Sequence, residues 1–219
     1  MRPRAAVALA VLVLAGCGGD PNAPSRNLRE DDQRWVEGAL PRAEILPEGW
    51  TGTADDRGAA LDDCEALDRS DLELTGEAVA SVELGESLAA IAGTQLFADE
   101  EDARAFVAEP SDEELTACLE EELAETFGDE ERGAAVDGLA FVPSAPPDAG
   151  ESARAATGEG TYTVGETSSG IALEAMYVQR DRAVLTLVTA ALDEEFPEDV
   201  RATLLADFEE RTQEKPPPP

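Results

Sequence analysis

Histidine is absent from this 219-residue chain, and lysine occurs once, at Lys215. Without an imidazole, the chain has no His-based catalytic triad, no histidine metal ligand and no imidazole pH switch. The sequence also lacks the G-x-S-x-G and S-x-x-K motifs of serine nucleophiles. Aromatic residues make up only 5% of it, so the core must consist mainly of Leu, Val, Ile and Ala.

Basic residues are scarce, because 16 Lys and Arg stand against 49 Asp and Glu, for a net charge of −33. Such a field repels nucleic acid and anionic lipid surfaces, so the sequence excludes a nucleic-acid partner. The acidity fits either a solvated surface adapted to salt or a cation-binding surface, and its even spread along the chain favours the first.

Calcium is the metal that suits a carboxylate-rich chain best, but there is no D-x-D-x-D-G loop. The acidic run from Asp99 to Asp102 is typical of the start of a helix. Pairs of carboxylates are inevitable among so many acids and do not indicate a glycosidase. We therefore predict no metal site, no cofactor and no catalytic residue.

The N-terminus resembles a bacterial lipoprotein signal. Arg2 and Arg4 precede an apolar run that is too short to span a bilayer, and Leu14-Ala15-Gly16-Cys17 follows. The resemblance implies removal of residues 1–16 and fatty acylation (palmitate) of Cys17. The mature protein would then be anchored in the cell membrane and face outside the cytoplasm. The alternative is an ordinary secretory peptide in which Cys17 is incidental.

The other two cysteines, Cys64 and Cys118, form the expected disulfide pair of an oxidising compartment. A bridge between them closes a loop of about 55 residues, worth on the order of 4 kcal/mol in the chain-entropy model. The alternative is two unrelated buried thiols. Their spacing is not that of a C-x-x-C redox site.

Beyond the signal, the sequence predicts a tether over residues 17–30, a single α+β domain over residues 31–212 and a polyproline tail over residues 213–219. The tail has no apolar side chains to pack, so we expect a disordered end, although it could contact cell-wall material or a partner. Trp35 and Trp50 are expected to anchor the core, with a ligand platform as the alternative.

Periodicity predicts helices and strands within the domain. Asp99 caps one helix, and Ser111-x-x-Glu114 forms the capping box of another. The helices are predicted at residues 31–40, 99–109 (ended by Pro110), 111–127 and 197–211, and the strands at residues 78–84, 87–97, 139–142, 152–164, 171–178 and 183–192. The last two strands are apolar on both faces, which indicates a central hairpin covered on both sides. The expected fold is an antiparallel sheet covered by helices.

The order of these features resembles the extracytoplasmic sensor domains of actinobacterial serine/threonine kinases, and the free lipoproteins that share them, over about residues 40–211. The residues that carry the resemblance are Leu46-Pro47-Glu48-Gly49-Trp50, Cys64, Asp102-Ala103-Arg104-Ala105-Phe106, Cys118, Tyr177-Val178-Gln179-Arg180 and the run from Ala183 to Val188. The resemblance implies a PsbP-like α+β fold and no catalytic residues. Many of those sensor domains have a second disulfide, for which this chain has no cysteines.

The sequence therefore predicts a non-catalytic binding protein. We expect a small apolar or envelope-derived ligand in a cavity between the curved sheet and its helices, lined by Leu, Ile, Val and Ala. The alternative is a protein–protein interaction module that docks on an envelope complex. The ligand-binding residues themselves are not assigned by the sequence.

Overall fold

The structure is a computed structural model and describes residues 23–55, 69–108, 110–128 and 133–218. The predicted signal peptide, Cys17 and Cys64 lie outside the described residues. None of the helices within those ranges is long and apolar enough to cross a membrane.

The described part of the chain forms helices and strands in mixed order, as an α+β fold. The helices are α1 (Glu30–Ala39), α2 (Glu100–Ala108), α3 (Asp112–Phe127) and α4 (Glu198–Glu214), with a 3₁₀ turn at Ala43–Ile45. The strands are β1 (Ser25–Arg26), β2 (Thr51–Asp55), β3 (Glu73–Leu84), β4 (Leu88–Phe97), β5 (Ala134–Ser144), β6 (Ser152–Val164), β7 (Thr167–Arg180) and β8 (Ala183–Leu192).

All the strands belong to one eight-stranded sheet with the order β1-β3-β4-β8-β7-β6-β5, and β2 also pairs with β3. Every pairing is antiparallel except that of β1 with β3. The hairpin between β3 and β4 turns at Gly85, whose φ of +64° is one that glycine adopts without strain. The mostly antiparallel sheet that the sequence predicts is confirmed.

Two hydrophobic layers pack on opposite faces of this sheet. Helices α2 and α3 cover one face, and α1 and α4 cover the other. Along β7, Leu173, Ala175 and Tyr177 belong to the α2/α3 layer, whereas Met176 and Val178 belong to the α1/α4 layer. The β7–β8 hairpin is therefore central and buried on both faces, as the sequence predicts.

The helix starts agree with the capping chemistry of the sequence. The Ser111 side chain accepts a hydrogen bond from the Glu114 N–H, and the Glu114 carboxylate accepts one from the Ser111 N–H at 2.8 Å. Asp99 likewise accepts from the Asp102 N–H at 2.9 Å. The acidic run at Asp99–Asp102 thus serves the start of α2.

Several parts of the fold differ from the sequence prediction. Strands β3 and β7 begin at Glu73 and Thr167, before the predicted residues 78 and 171, and Thr51–Asp55 forms a strand that was not predicted. Strand β5 begins at Ala134, five residues before the predicted strand, because a bulge between Asp137 and Ala140 lets pairing with β6 continue past Gly138 at φ +64°. Residues Ser25–Arg26, within the range predicted as a tether, pair with β3 through backbone hydrogen bonds.

Candidate functional site

An open groove of about 850 Å³ lies over the outer strands on the α1/α4 face of the sheet. The strand register places its side chains together, because the cross-strand pairs Val142↔Thr157, Thr157↔Glu174 and Glu174↔Thr189 share one face. The groove is lined by Ala140, Val142, Thr157, Gly158, Glu159, Ala172, Leu173, Glu174, Thr189, Glu195, Phe196, Glu198 and Arg201.

The floor and one wall of the groove are largely apolar. Ala140 and Ala172 supply small exposed side chains, and Val142 is 59% exposed. Phe196, on the segment between β8 and α4, forms a wall and is held by the Trp50 ring, with a centroid distance of 5.8 Å. This apolar surface can cover the hydrocarbon part of a ligand.

The rim of the groove is acidic. Arg201 on α4 donates a hydrogen bond to the Glu174 carboxylate on β7, which fixes the side chains of both residues. Glu159, Glu195 and Glu198 are exposed and make no ion pair with any described residue. The groove therefore combines an apolar floor with carboxylates at its edge.

A second polar cluster is buried at the opposite end of the central hairpin. The Arg182 guanidinium donates to both carboxylate oxygens of Asp32, at 2.7 and 3.1 Å, and both side chains are almost fully buried. Its remaining donors reach the Phe97 carbonyl at 2.7 Å, Thr75 Oγ1 at 3.1 Å and the Pro218 carbonyl at 2.7 and 3.0 Å. We call these five residues the Arg182 cluster.

The Arg182 cluster controls the ionisation of Asp32. Burial opposes the carboxylate charge, but hydrogen bonds from Arg182 and Thr75 and the charge of Arg182 outweigh it, so the pKa of Asp32 is lowered. All the donor groups of Arg182 are engaged. The cluster therefore joins α1, the sheet and the C-terminus, and offers no group for chemistry.

The C-terminal tail packs against the domain, contrary to the expectation of a disordered end. Helix α4 continues to Glu214, and Trp35 Nε1 donates to the Lys215 carbonyl at 2.8 Å. The Pro218 carbonyl accepts from Arg182. The tail is held by hydrogen bonds to its backbone carbonyls, and these bonds do not depend on apolar side chains in the tail.

The sequence-predicted site residues do not meet at the groove. Cys118 is buried on the core side of α3, and Cys64 lies outside the described residues, so their pairing stays a prediction. Trp35 and Trp50 are 4% and 8% exposed and belong to the α1/α4 core, as their interpretation as core anchors predicts. Within the described ranges no group of three Cys, Asp or Glu side chains has the arrangement of a metal site.

Sequence reasoning missed the groove residues. Part of their signal was present, since Thr157 and Glu159 alternate with the buried Ala156 and Gly158 along β6. That alternation marks a strand face outside the core. It does not reveal that this face forms a groove with Phe196 and the start of α4, because that depends on tertiary packing.

Comparison with known proteins gives structural neighbours only, since no family model and no curated protein matches the chain. The extracellular domain of PknH from Mycobacterium tuberculosis matches with a TM-score of 0.48 and 11% identity, over 84% of this chain and 97% of that domain. A protein of Mycobacterium smegmatis, an Rv0999 orthologue of uncharacterised role, matches with a TM-score of 0.34 and 12% identity, over 78% of this chain and 96% of that protein.

LpqN from M. tuberculosis, a protein involved in cell envelope biogenesis, matches with a TM-score of 0.29 and 13% identity, over 78% of this chain and 79% of LpqN. Identities and TM-scores are low, and no residue role follows from them.

Proposed function

We propose that this protein is a lipid-anchored, extracytoplasmic, non-catalytic domain that binds an apolar or envelope-derived ligand in the groove over β5, β6 and β7. The observation that carries the proposal is the groove itself, whose apolar floor is open to solvent. Its volume of about 850 Å³ falls within the range of small-molecule sites, roughly 300–1,000 Å³.

The proposed groove lies on an open face of the sheet, whereas the sequence led us to expect a cavity between the sheet and its helices. Within the described residues, continuous side-chain clusters occupy the space between the sheet and the helices on both faces. Close-packed interiors leave little room for a ligand. Binding therefore goes to the open face, where Val142 and Phe196 present apolar surface beside polar groups.

Ligand binding can be tested by thermal unfolding of the mature domain with lipids extracted from the cell envelope. We expect a rise in Tm with the unsubstituted domain and none with Ala172→Trp, because the indole fills the floor of the groove. Ala117→Trp, at an exposed position of α3 on the other face, is the matched control and should respond as the unsubstituted domain does. Equal stabilisation of all three proteins, or of none, would contradict a ligand in this groove.

The anchor and the disulfide are part of the same proposal. The lipoprotein-like signal supports acylation of Cys17, and the core-facing position of Cys118 on α3 supports a bridge to Cys64. Mass spectrometry of protein from its native membrane should find an acylated N-terminal Cys17 and, without reduction, a peptide that joins Cys64 to Cys118. A mature chain starting elsewhere, or two alkylatable thiols, would overturn these assignments.

A protein partner is the second candidate, and the 59% exposure of Val142 on the outer strand β5 favours it. A photo-cross-linker at position 142, activated in native membranes, distinguishes the two. Adducts of lipid mass indicate the ligand, whereas a single adduct of protein mass indicates docking on an envelope complex.

A further inference from the structure

We infer that the ligand of this groove carries a cationic amine beside its apolar part, with the amine held between the Thr189 hydroxyl and the carboxylates of Glu195 and Glu198. The inference rests on the proposed function and names the chemical class of its ligand. It is motivated by an unpartnered hydroxyl in the groove and by the charge around it.

Thr189 is a polar residue in an apolar layer, and it is only 1% exposed. Its neighbours across the sheet are Ala90 on β4 and Glu174 on β7, which places its side chain on the groove face of β8. The Thr189 hydroxyl makes no hydrogen bond to any described residue, and the side chain lines the groove. The hydroxyl is not among the fully buried unpaired atoms of the described residues, so water or a ligand in the groove can complete its hydrogen bonding.

The buried threonines of this fold differ in how their hydroxyls are satisfied, and those of Thr94 and Thr186, away from the groove, also have no partner among the described residues. Thr75 donates to the Leu96 carbonyl at 3.1 Å, and Thr212 donates to the Phe208 carbonyl at 3.0 Å. Thr189 makes no such bond among the described residues, and unlike Thr94 and Thr186 it lines the groove. Its oxygen is therefore available to accept a hydrogen bond from a ligand N–H.

The charges facing the groove favour a positively charged ligand. The groove is lined by one cation, Arg201, which is already paired with Glu174. The other charged side chains of the lining are the carboxylates of Glu159, Glu195 and Glu198. An anionic headgroup would approach three carboxylates that have no counter-charge, whereas an ammonium would supply one. An ammonium also donates three hydrogen bonds, enough for Thr189 Oγ1 and two carboxylates.

The size of the groove favours a small amphiphile over a protein segment. A volume of about 850 Å³ suits a molecule with a hydrocarbon part on Val142, Ala172 and Phe196 and an amine at the Thr189 end. Dodecylamine and dodecanoate, both used below their critical micelle concentrations, are matched probes because they differ in headgroup charge and have the same chain length.

Titration calorimetry of the mature domain in about 0.15 M NaCl, where exposed charges are screened beyond ~8 Å, tests the inference. We expect dodecylamine to bind at least about tenfold more tightly than dodecanoate. Thr189→Val should weaken dodecylamine binding roughly three- to tenfold through loss of one hydrogen bond, and Thr189→Ser should retain it. Because the hydroxyl has no internal partner, Thr189→Val should not lower Tm.

The double variant Glu195→Gln/Glu198→Gln should lose most of the preference for the amine. Glu113→Gln/Glu121→Gln, which removes the same charge from exposed positions of α3 on the other face, should keep it. Equal loss in both double variants would show a general effect of the net charge and would overturn the inference.

The outcomes also separate this inference from the proposed function. Equal affinity for dodecylamine and dodecanoate, with both abolished by Ala172→Trp, would overturn the amine and leave the apolar groove in place. No binding of either probe, together with stabilisation by envelope lipids, would likewise overturn only the amine. No response to the probes or to envelope lipids would overturn both.

Discussion

At the scale of single residues, the most demanding feature of this protein is the ion pair between Asp32 and Arg182. Both side chains are buried, at 3% and 8% side-chain exposure. Desolvation of two charges costs several kcal/mol per ion, so the pair is tolerated only because hydrogen bonds complete it. Breaking it on one side leaves the other charge buried and uncompensated.

We predict that Asp32→Asn lowers the free energy of unfolding by about 3–5 kcal/mol, because the Arg182 charge stays in the interior. The double variant Asp32→Leu/Arg182→Met should lose less than Asp32→Asn does, since it removes both charges. Asp31→Asn, one position away on the exposed face of α1, breaks a surface pair with Arg34 and should cost less than about 1 kcal/mol. Urea unfolding measures all three, and equal losses for Asp31→Asn and Asp32→Asn would contradict this role.

The lowered pKa of Asp32 gives this contribution a defined pH dependence. A carboxyl whose pKa is lower in the folded state stabilises the protein above its unfolded pKa, and the contribution disappears as pH falls through the folded pKa. The difference in unfolding free energy between the unsubstituted domain and Asp32→Asn should therefore be constant from about pH 5 to 7 and shrink below about pH 4. A difference that grew on acidification would contradict the assignment.

At the scale of elements, the sequence predicted the features that depend on residues close to one another in the chain. The capping box at Ser111 and Glu114 and the apolar faces of the β7–β8 hairpin are local patterns, and both are confirmed. The bulge in β5 and the pairing of Ser25–Arg26 with β3 were not predicted, because they depend on partners distant in sequence. The same reason hid the contact of the tail with Arg182.

The contact between α1 and β3 gives a prediction at this scale. A Cβ at Gly76 on β3 would lie 2.9 Å from the Asp32 carbonyl carbon, within the backbone of α1. Gly76→Ala should therefore push α1 from the sheet and cost about 1–3 kcal/mol.

Gly38 provides the matched comparison on the helix itself. A Cβ there meets nothing within 4 Å, so Gly38→Ala should stabilise α1 by about 0.5–1 kcal/mol through helix propensity. The two variants make the same chemical change with opposite expected signs, which urea unfolding resolves. If Gly76→Ala proved neutral, α1 would not pack this closely on β3.

At the scale of the whole molecule, the sequence predicted the fold class but not the site. Composition and periodicity indicate a sheet covered by helices, and the β7–β8 hairpin places the sheet's centre. The groove forms where the Phe196 segment and the start of α4 meet the open face of β5, β6 and β7. The groove therefore depends on how α4 packs across the α1/α4 face, and no local sequence pattern determines that packing.

The last prediction concerns the net charge of −33. It distinguishes the two interpretations of the acidity, a solvated surface adapted to salt and a cation-binding surface. A solvated acidic surface repels itself, and raising NaCl from about 0.1 M to about 1 M shortens the Debye length from ~10 Å to ~3 Å. The screening should raise Tm gradually, with no saturation at low concentration, and KCl should act as NaCl does.

A cation-binding surface would behave differently, because occupancy saturates and depends on the ion. CaCl₂ and NaCl at equal ionic strength are then the decisive pair of salts in the same unfolding measurement. If screening dominates, the plots of Tm against ionic strength coincide for the two salts, apart from a modest excess expected of a divalent counterion. The buried Asp32–Arg182 pair contributes little to the rise in Tm, because salt screens buried pairs much less. A steep rise in Tm that saturates at low CaCl₂ would assign the acidity to cation binding instead, and the groove carboxylates Glu159, Glu195 and Glu198 would be the first positions to substitute.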